Sequence, residues 1–408
     1  MTGRFEPSVL TPDPRGRDQI LEWLEAGLAA VDPERLTAEA LAGRSGIETV
    51  VVAIGKAAPA MARGAASVLD IVGGVCVSDH HEPTSDRLLF KVGDHPVPGA
   101  ASLEAGAAVL DTVRHNPAST PILALISGGG SSLCETPREG VSPEFLSNVT
   151  RRLIAGGASI EEINLVRAHL SAIKGGGVSR AAGRAIDTYV ISDVAGADPG
   201  VVASGPTIPL APDPEAAAAI MRRASIEIPE RVLAAMSRKF GSMPMPVVTL
   251  LADGIDAAWG VAAAAPAPVE VCSEWLAGEV EAGLDRFLGK AGPGVTVGVG
   301  ETVLEVTGGG KGGRNTHAAL IAARRLEGTD SVFTAFATDG VDGMSGSAGA
   351  IVDGETISRG GDPTRALGDF DSATYLSASS DLLKCAPTGT NVSDIWILWR
   401  RDAGPNVK

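Results

Sequence analysis

The chain has 408 residues, 44% hydrophobic but only 4% aromatic, with 51 glycines, more than one ordinary core organises and typical of a soluble α/β protein of two or three domains. Its net charge of −15 comes without any Lys/Arg run, which argues against nucleic acid as a partner, because a phosphate backbone is held by clustered cations. No segment reaches the roughly 18 apolar residues of a membrane span.

The leader MTGRFEPSVLTPDPRGRD has no apolar signal core, so a cytoplasmic location is expected. Asp18 to Ala42 then shows helical periodicity in Ile20, Leu21, Leu24, Leu28 and Val31. Thr49 to Ile54 (TVVVAI) is a buried strand that ends at Gly55-Lys56, with a helix over Ala57 to Leu69. Val75 to Asp79, a helix around Leu103 to Val113 and the strand at Ile122 follow. Helices are expected over Phe145 to Ile154 and Ile160 to Ile173, then a strand at Thr188 to Asp193. Apolar strands alternating with helices predict a parallel sheet covered on both faces. Gly241 to Val248 (GSMPMPVV) is the candidate boundary. Beyond it, strands are predicted at Val247 to Leu251, Val295 to Val299, Val303 to Val306, Val332 to Ala337 and Ile395 to Trp399, with Val295 to Val306 a hairpin around Gly300.

Two glycine-rich turns carry the chemistry. ILALISGGGSSL runs from a strand into Ser127, Gly128, Gly129, Gly130, Ser131 and Ser132. Successive backbone N–H groups in such a turn form an anion-binding concavity, and the hydroxyls add donors. EVTGGGKGGRN, Glu305 to Asn315, is read the same way, with Gly309, Gly310, Lys311 and Arg314. In open parallel sheets ligands sit at the carboxyl ends of strands, which places Gly55 and Lys56 there too. On a helix through Ile163 to Gly177, Asn164, Arg167, Ser171 and Lys174 share one stripe, and Ile163, Val166, Leu170 and Ile173 the buried one. Asp193 and Asp198 at a strand end suit Mg²⁺, which takes one or two carboxylates plus phosphate oxygens. Asp339 and Asp342 repeat that arrangement among glycines, so some of these acids are structural. GGGKGG satisfies the dinucleotide pattern GxGxxG but lacks a strand-end acid some 20 residues on. The scattered Cys76, Cys134, Cys272 and Cys385 form no CxxC and indicate neither a zinc knuckle nor a disulfide framework.

With AIGKAA, GDHPVP, ISGGGSSL, INLVRAHLSAIKGGG, ISDVAG…VASGPT, GGGKGGRN, TDGVDG and TGTNVSDI in this order, the chain resembles the glycerate 2-kinase family, often labelled hydroxypyruvate reductase. The resemblance implies a Rossmann-like α/β domain of DUF4147 type over residues 1–245 and a second α/β domain of MOFRL type over 246–408, with the active site in a cleft between them. It implies Lys56 and Arg314 as the main catalytic cations and the Ser127–Ser132 loop on phosphate. Residue chemistry and resemblance converge on ATP- and Mg²⁺-dependent phosphorylation of a small hydroxy acid. Asp193 would hold metal or take the hydroxyl proton, Asp198 would join the metal, and Gly55, Lys174, Gly309, Gly310 and Lys311 would join the phosphate loop. Asn164, Arg167, Asn315, His317, Asp339 and Asp342 would face the acceptor. Where the family commonly reads GGRNQE, this chain has Thr316-His317 after Asn315, which is expected to retune the acceptor pocket. A nicotinamide-dependent reductase and a non-catalytic sugar-acid binding protein are the rival readings. A homodimer is the expected assembly.

Overall fold

Val50 to Ile54 have both faces apolar, and they form the inner part of β1 (Glu48–Ile54), buried at every position after the first. In this computed structural model, which describes residues 4–5, 16–238 and 244–401, β1 belongs to a six-stranded sheet. Its other strands are β2 (Asp70–Ser78), β3 (Leu89–Val92), β4 (Ile122–Ser127), β5 (Asp187–Ile191) and β6 (Val248–Ala252), in the order β3-β2-β1-β4-β5-β6. β1 pairs in parallel with both β2 and β4, and β4 with β5, so Ile54 lies beside Ile126 and Ser127 beside Ile191. Val52, Ile54, Val75, Val109, Ile126 and Val190 fill one core. Leu146, Val149, Val166, Leu170, Met221 and Val232 fill a second, between helices.

A second mixed sheet has the order β11-β10-β9-β12-β8-β7, built from β7 (Val269–Val271), β8 (Gly294–Gly300), β9 (Ser331–Ala337), β10 (Gly349–Asp353), β11 (Leu382–Leu383) and β12 (Asp394–Arg400). β12 runs antiparallel to both β8 and β9. Phe287, Phe333 and Trp396 meet edge-to-face, with ring centroids 5.9 to 6.1 Å apart, in the centre of its core.

The chain divides into two compact units, Pro33–Leu251 and a second that joins Met1–Asp32 to Ala252–Lys408. This differs from a single cut at residue 245. β6 completes the first sheet instead of opening the second, and the first helix crosses over to the C-terminal unit. That helix, Arg17–Ala30, ends before Pro33, which begins a separate helix, Pro33–Leu41. Proline lacks the N–H that a helix interior needs and disfavours helical angles in the residue before it. Gly27 and Gly260 let the first helix lie against Gly254–Ala264, since a Cβ on Gly260 would come within 2.7 Å of Ala30. Arg17, only 2% exposed, donates to Asp381 and, at 3.3 Å, to Asp353, which fastens the same helix to the β10 end of its unit. The predicted hairpin at Gly300 is not formed. Glu301 to Val303 instead run parallel beside Leu276 to Val280, with the Val303 N–H on the Gly278 carbonyl at 2.7 Å. Of the leader, only Arg4, Phe5 and Gly16–Asp18 are among the described residues, and Gly241–Met243 of the predicted boundary also lie outside them.

Candidate functional site

β1 and β4 are neighbours whose onward connections leave toward opposite edges of the sheet, the point at which open parallel sheets bind ligands. The turns after these two strands are joined. The Lys56 N–H donates to the Gly128 carbonyl at 2.9 Å, and the Ala57 N–H to Ser127 Oγ at 3.0 Å. Gly55 permits this approach: its φ is +129°, and a Cβ there would lie 2.3 Å from Ser127 Oγ. The aliphatic part of Lys56 lies over Gly129. Ser127 Oγ is thus spent on the neighbouring turn, and Ser132 donates within its own, to the Gly129 carbonyl at 3.1 Å. Ser131 instead shares a 2.6 Å bond with Ser204, which donates to Asn164 Oδ1 at 2.8 Å. Ala203 and Ser204 hold positive φ values of 52° and 60°, a conformation that costs a non-glycine residue energy and clusters at functional sites.

Glu135, 1% exposed, organises the segment behind this turn. Lys174 Nζ lies 2.5 Å from its Oε2, the Ser171 hydroxyl donates to Oε1, and Arg167 Nη2 stands 3.9 Å away. Arg167 also donates to the Ser131 carbonyl. The shared helical stripe therefore ends early: the helix Ile160–Leu170 stops before Ser171, whose backbone is extended. Lys174 is fully buried on its carboxylate, which corrects its assignment to phosphate. Burial lowers its ammonium to about 8 against the pull of Glu135. Arg167, expected to face the acceptor, is 7% exposed and donates to the turn's backbone.

Asp193 is half-buried just past the end of β5. Exposed Asp198 accepts the Gly200 N–H on Oδ1 at 2.8 Å, the turn-forming use of an aspartate. Asp339 accepts the Val341 N–H at 2.9 Å. His80, just past β2, spends both ring nitrogens on Asp79 and Glu82, each at 2.7 Å.

In the other unit, Arg314 opens the helix Arg314–Arg325 and is clamped by Asp394, with Nε at 2.6 Å and Nη2 at 3.0 Å, while Nη1 reaches Glu301. Three of its five N–H donors are engaged, which leaves two. Burial pushes the Asp394 carboxyl up to about 6, with Arg314 pulling it down. Several predicted ligands are structural. Both Asp342 oxygens accept helix-start amides, from Asn315 at 2.9 Å and Thr316 at 2.8 Å. Asn315 Oδ1 takes the Trp396 indole N–H at 3.0 Å. Thr316 Oγ1 caps the Gly313 N–H at 2.8 Å, and buried His317 stacks on Phe370 with centroids 5.4 Å apart. The GGGKGG loop follows no strand. Its Gly310 N–H is bonded to the Asp369 carbonyl at 3.0 Å and its Lys311 N–H to Asp371 Oδ1 at 2.8 Å, while Gly309 is exposed. These amides serve the fold instead of a phosphate.

The description "Domain of unknown function (DUF4147)" matches residues 19–237 and the MOFRL family residues 294–394. The chain is 37% identical to the D-glycerate 2-kinase of Thermotoga maritima, over 94% of this chain and 99% of that protein. It is 35% identical to a putative hydroxypyruvate reductase of Agrobacterium vitis, over 94% of each. The crystal structure of the Thermotoga maritima glycerate kinase superposes with a TM-score of 0.83 at 34% identity, covering 94% of this chain and 99% of that one. This chain belongs to the glycerate 2-kinase family.

Three residues at these turns of the glycerate 2-kinase fold escaped sequence reasoning. Glu135 lies two residues past the GGGSSL motif, but its partners arrive over 30 positions later. Ser204 and Asp394 lie inside VASGPT and TGTNVSDI, motifs recognised as blocks without a role for each residue. A polar residue at the end of an apolar strand was the available signal for Asp394, which begins β12 at 2% exposure.

Proposed function

We propose that this protein is an ATP-dependent kinase of D-glycerate, or of a closely related small sugar acid, acting on the 2-hydroxyl. The observation that carries the proposal is the pair of strand-end turns after β1 and β4, with Lys56 riding on the Gly128–Gly129 backbone. In phosphoryl transfer the protein supplies positioning and charge neutralisation more than covalent chemistry. Lys56 would neutralise the transferring phosphoryl group, and the two uncommitted N–H groups of Arg314 are open to an anionic oxygen. The turn's amides and Ser131 would orient the phosphates, with Glu135, Lys174 and Arg167 holding that turn in shape. The acceptor's hydroxyl oxygen attacks the terminal phosphorus as the bond to the departing ADP oxygen breaks, and Asp193 either accepts the hydroxyl proton or holds the metal.

Asp193 and Asp198 supply hard carboxylate oxygens, and Asp198 retains one oxygen outside its turn bond, a donor set suited to Mg²⁺. When bound, the ion would offset phosphate charge. The reductase reading rests on GGGKGG, and the protein bonds at Gly310 and Lys311 favour phosphoryl transfer over it. Purified protein with ATP, Mg²⁺ and a panel of hydroxy acids should release ADP with glycerate, with the new ester located by ³¹P NMR. NADH or NADPH oxidation with hydroxypyruvate, and no ADP from any acid, would overturn the proposal.

A further inference from the structure

In a chain whose net charge is −15, four arginines gather around one concavity of about 280 Å³, lined by Arg114, Arg138, Arg180 and Arg238 with Glu139 and Ala172. All belong to the Pro33–Leu251 unit, and none comes from the strand-end turns. Glu139, the single acid of the lining, is exposed and paired to Arg238 at 2.8 Å. The lining thus keeps a surplus of about three positive charges.

Two of the four guanidiniums are fixed by the fold. Arg138 donates to the Ser171 carbonyl at 3.1 Å and the Ala168 carbonyl at 2.7 Å. Arg180 donates to the Gly175 carbonyl at 2.7 Å and the Lys174 carbonyl at 3.2 Å. Those bonds account for Arg138 and Arg180 but not for the other two. Arg114 sits in the last turn of its helix, Ala100–Arg114, where a cation favours the helix dipole. That preference does not require it to face three more cations, and among the described residues it has no ion-pair partner. Burial, then Arg180 and Arg238, lower Arg138 to about 10, so the crowding is electrostatically unfavourable until an anion enters.

We propose that this concavity is a second anion site, separate from the phosphoryl-transfer site, which takes a small oxyanion carrying two or more negative charges. Rigid, partly buried guanidiniums recognise phosphate and carboxylate oxygens in paired fashion. The volume suits a compact phosphate compound or polycarboxylate. Its position gives the occupant a consequence. The carbonyls gripped by Arg138 and Arg180 belong to the segment whose Ser171 and Lys174 side chains hold Glu135 on its other side.

The test is calorimetric titration of the full chain with pyrophosphate and, separately, with citrate, at low salt. Arg114→Gln/Arg238→Gln removes two exposed charges without touching the carbonyl-bound pair; unchanged circular dichroism and melting would establish that it folds. Wild type should bind one more equivalent of pyrophosphate than this variant, or bind that equivalent at least about tenfold more tightly. Lys56→Ala should weaken the other equivalent and leave this one intact. Citrate binding lost in the double variant would assign the site to polyanions generally, and a response to pyrophosphate alone would assign it to phosphate compounds. Identical isotherms for wild type and the double variant with both probes would overturn the proposal.

Discussion

Two turns of this protein, Ser127–Ser132 and Gly308–Gly313, look alike in sequence and are used differently. Each has at least three glycines, small polar neighbours and a following helix. The first leaves a fully buried strand and is tied to Lys56 of the adjacent strand end. The second follows irregular chain, and its amides are bonded to Asp369 and Asp371. A glycine-rich turn is thus only an opportunity for an anion, and the second loop spends two of its amides on its own fold. The nearest cation of the second loop, Lys311, is exposed, whereas Arg314 beside it is drawn into Asp394 and Glu301.

The largest effect should come from the support of the first turn. Glu135→Ala leaves Lys174 fully buried without its carboxylate partner, a change that costs about 3–5 kcal/mol. Chemical denaturation should show this, and Glu135→Leu with Lys174→Met should recover most of it, because replacing both buried charges removes the unpaired one. If Glu135→Ala is as stable as wild type, the cluster does not hold the turn. Next comes Lys56→Ala, expected to lower kcat and kcat/KM together by roughly 10²-fold or more while the fold persists. Lys311→Ala should stay within about threefold of wild type. Equal losses in these two variants would erase the distinction between the turns.

Asp371→Ala sharpens the same comparison from the other side. It removes bonds from the Lys311 N–H at 2.8 Å and from Thr374 at 2.7 Å, both solvent-exposed, so about 1 kcal/mol of stability should go. Turnover should hardly change. A fall in kcat comparable to that of Lys56→Ala would mean that the second loop holds substrate after all.

Much of this was legible because buried parallel strands write themselves as unbroken apolar runs. β1, β4 and β5 and the turns they launch stood out for that reason; β9 and β12 are antiparallel, but burial gave them the same unbroken apolar run. β3, β7 and β11 did not: they are short edge strands, and the first two are partly exposed, so neither length nor alternation marks them. Val303 to Val306 misled for the opposite reason, being apolar yet largely exposed. Within the site, residue type was readable and partnership was not. Lys174 and Asn315 are open polar groups in sequence, but Glu135, which takes the Lys174 ammonium, and Trp396, which donates to Asn315 Oδ1, arrive from remote segments. The same holds for Asp342, whose carboxylate caps a helix that starts well upstream of it.

His317 supplies the smallest and most selective test. Stacked on Phe370 and buried, it has its pKa lowered below the ordinary value by desolvation, with Glu279 and Glu281 pulling the other way. The unfolded chain therefore takes up this proton at a higher pH than the folded one. Between the ordinary histidine pKa of about 6.5 and the lower folded value, stability must fall as pH falls, by at most about 1.4 kcal/mol per pH unit. Asp394, raised to about 6, acts oppositely in the acid range, its contribution being lost as pH rises through that value. The two are separated by difference: His317→Gln should flatten only the histidine part of the wild-type stability profile. Thr316 already caps the helix from within, so the same variant should leave the ranking of hydroxy acids by kcat/KM unchanged. A shifted ranking with an unaltered stability profile would return His317 to the acceptor pocket and set the second loop back on level terms with the first.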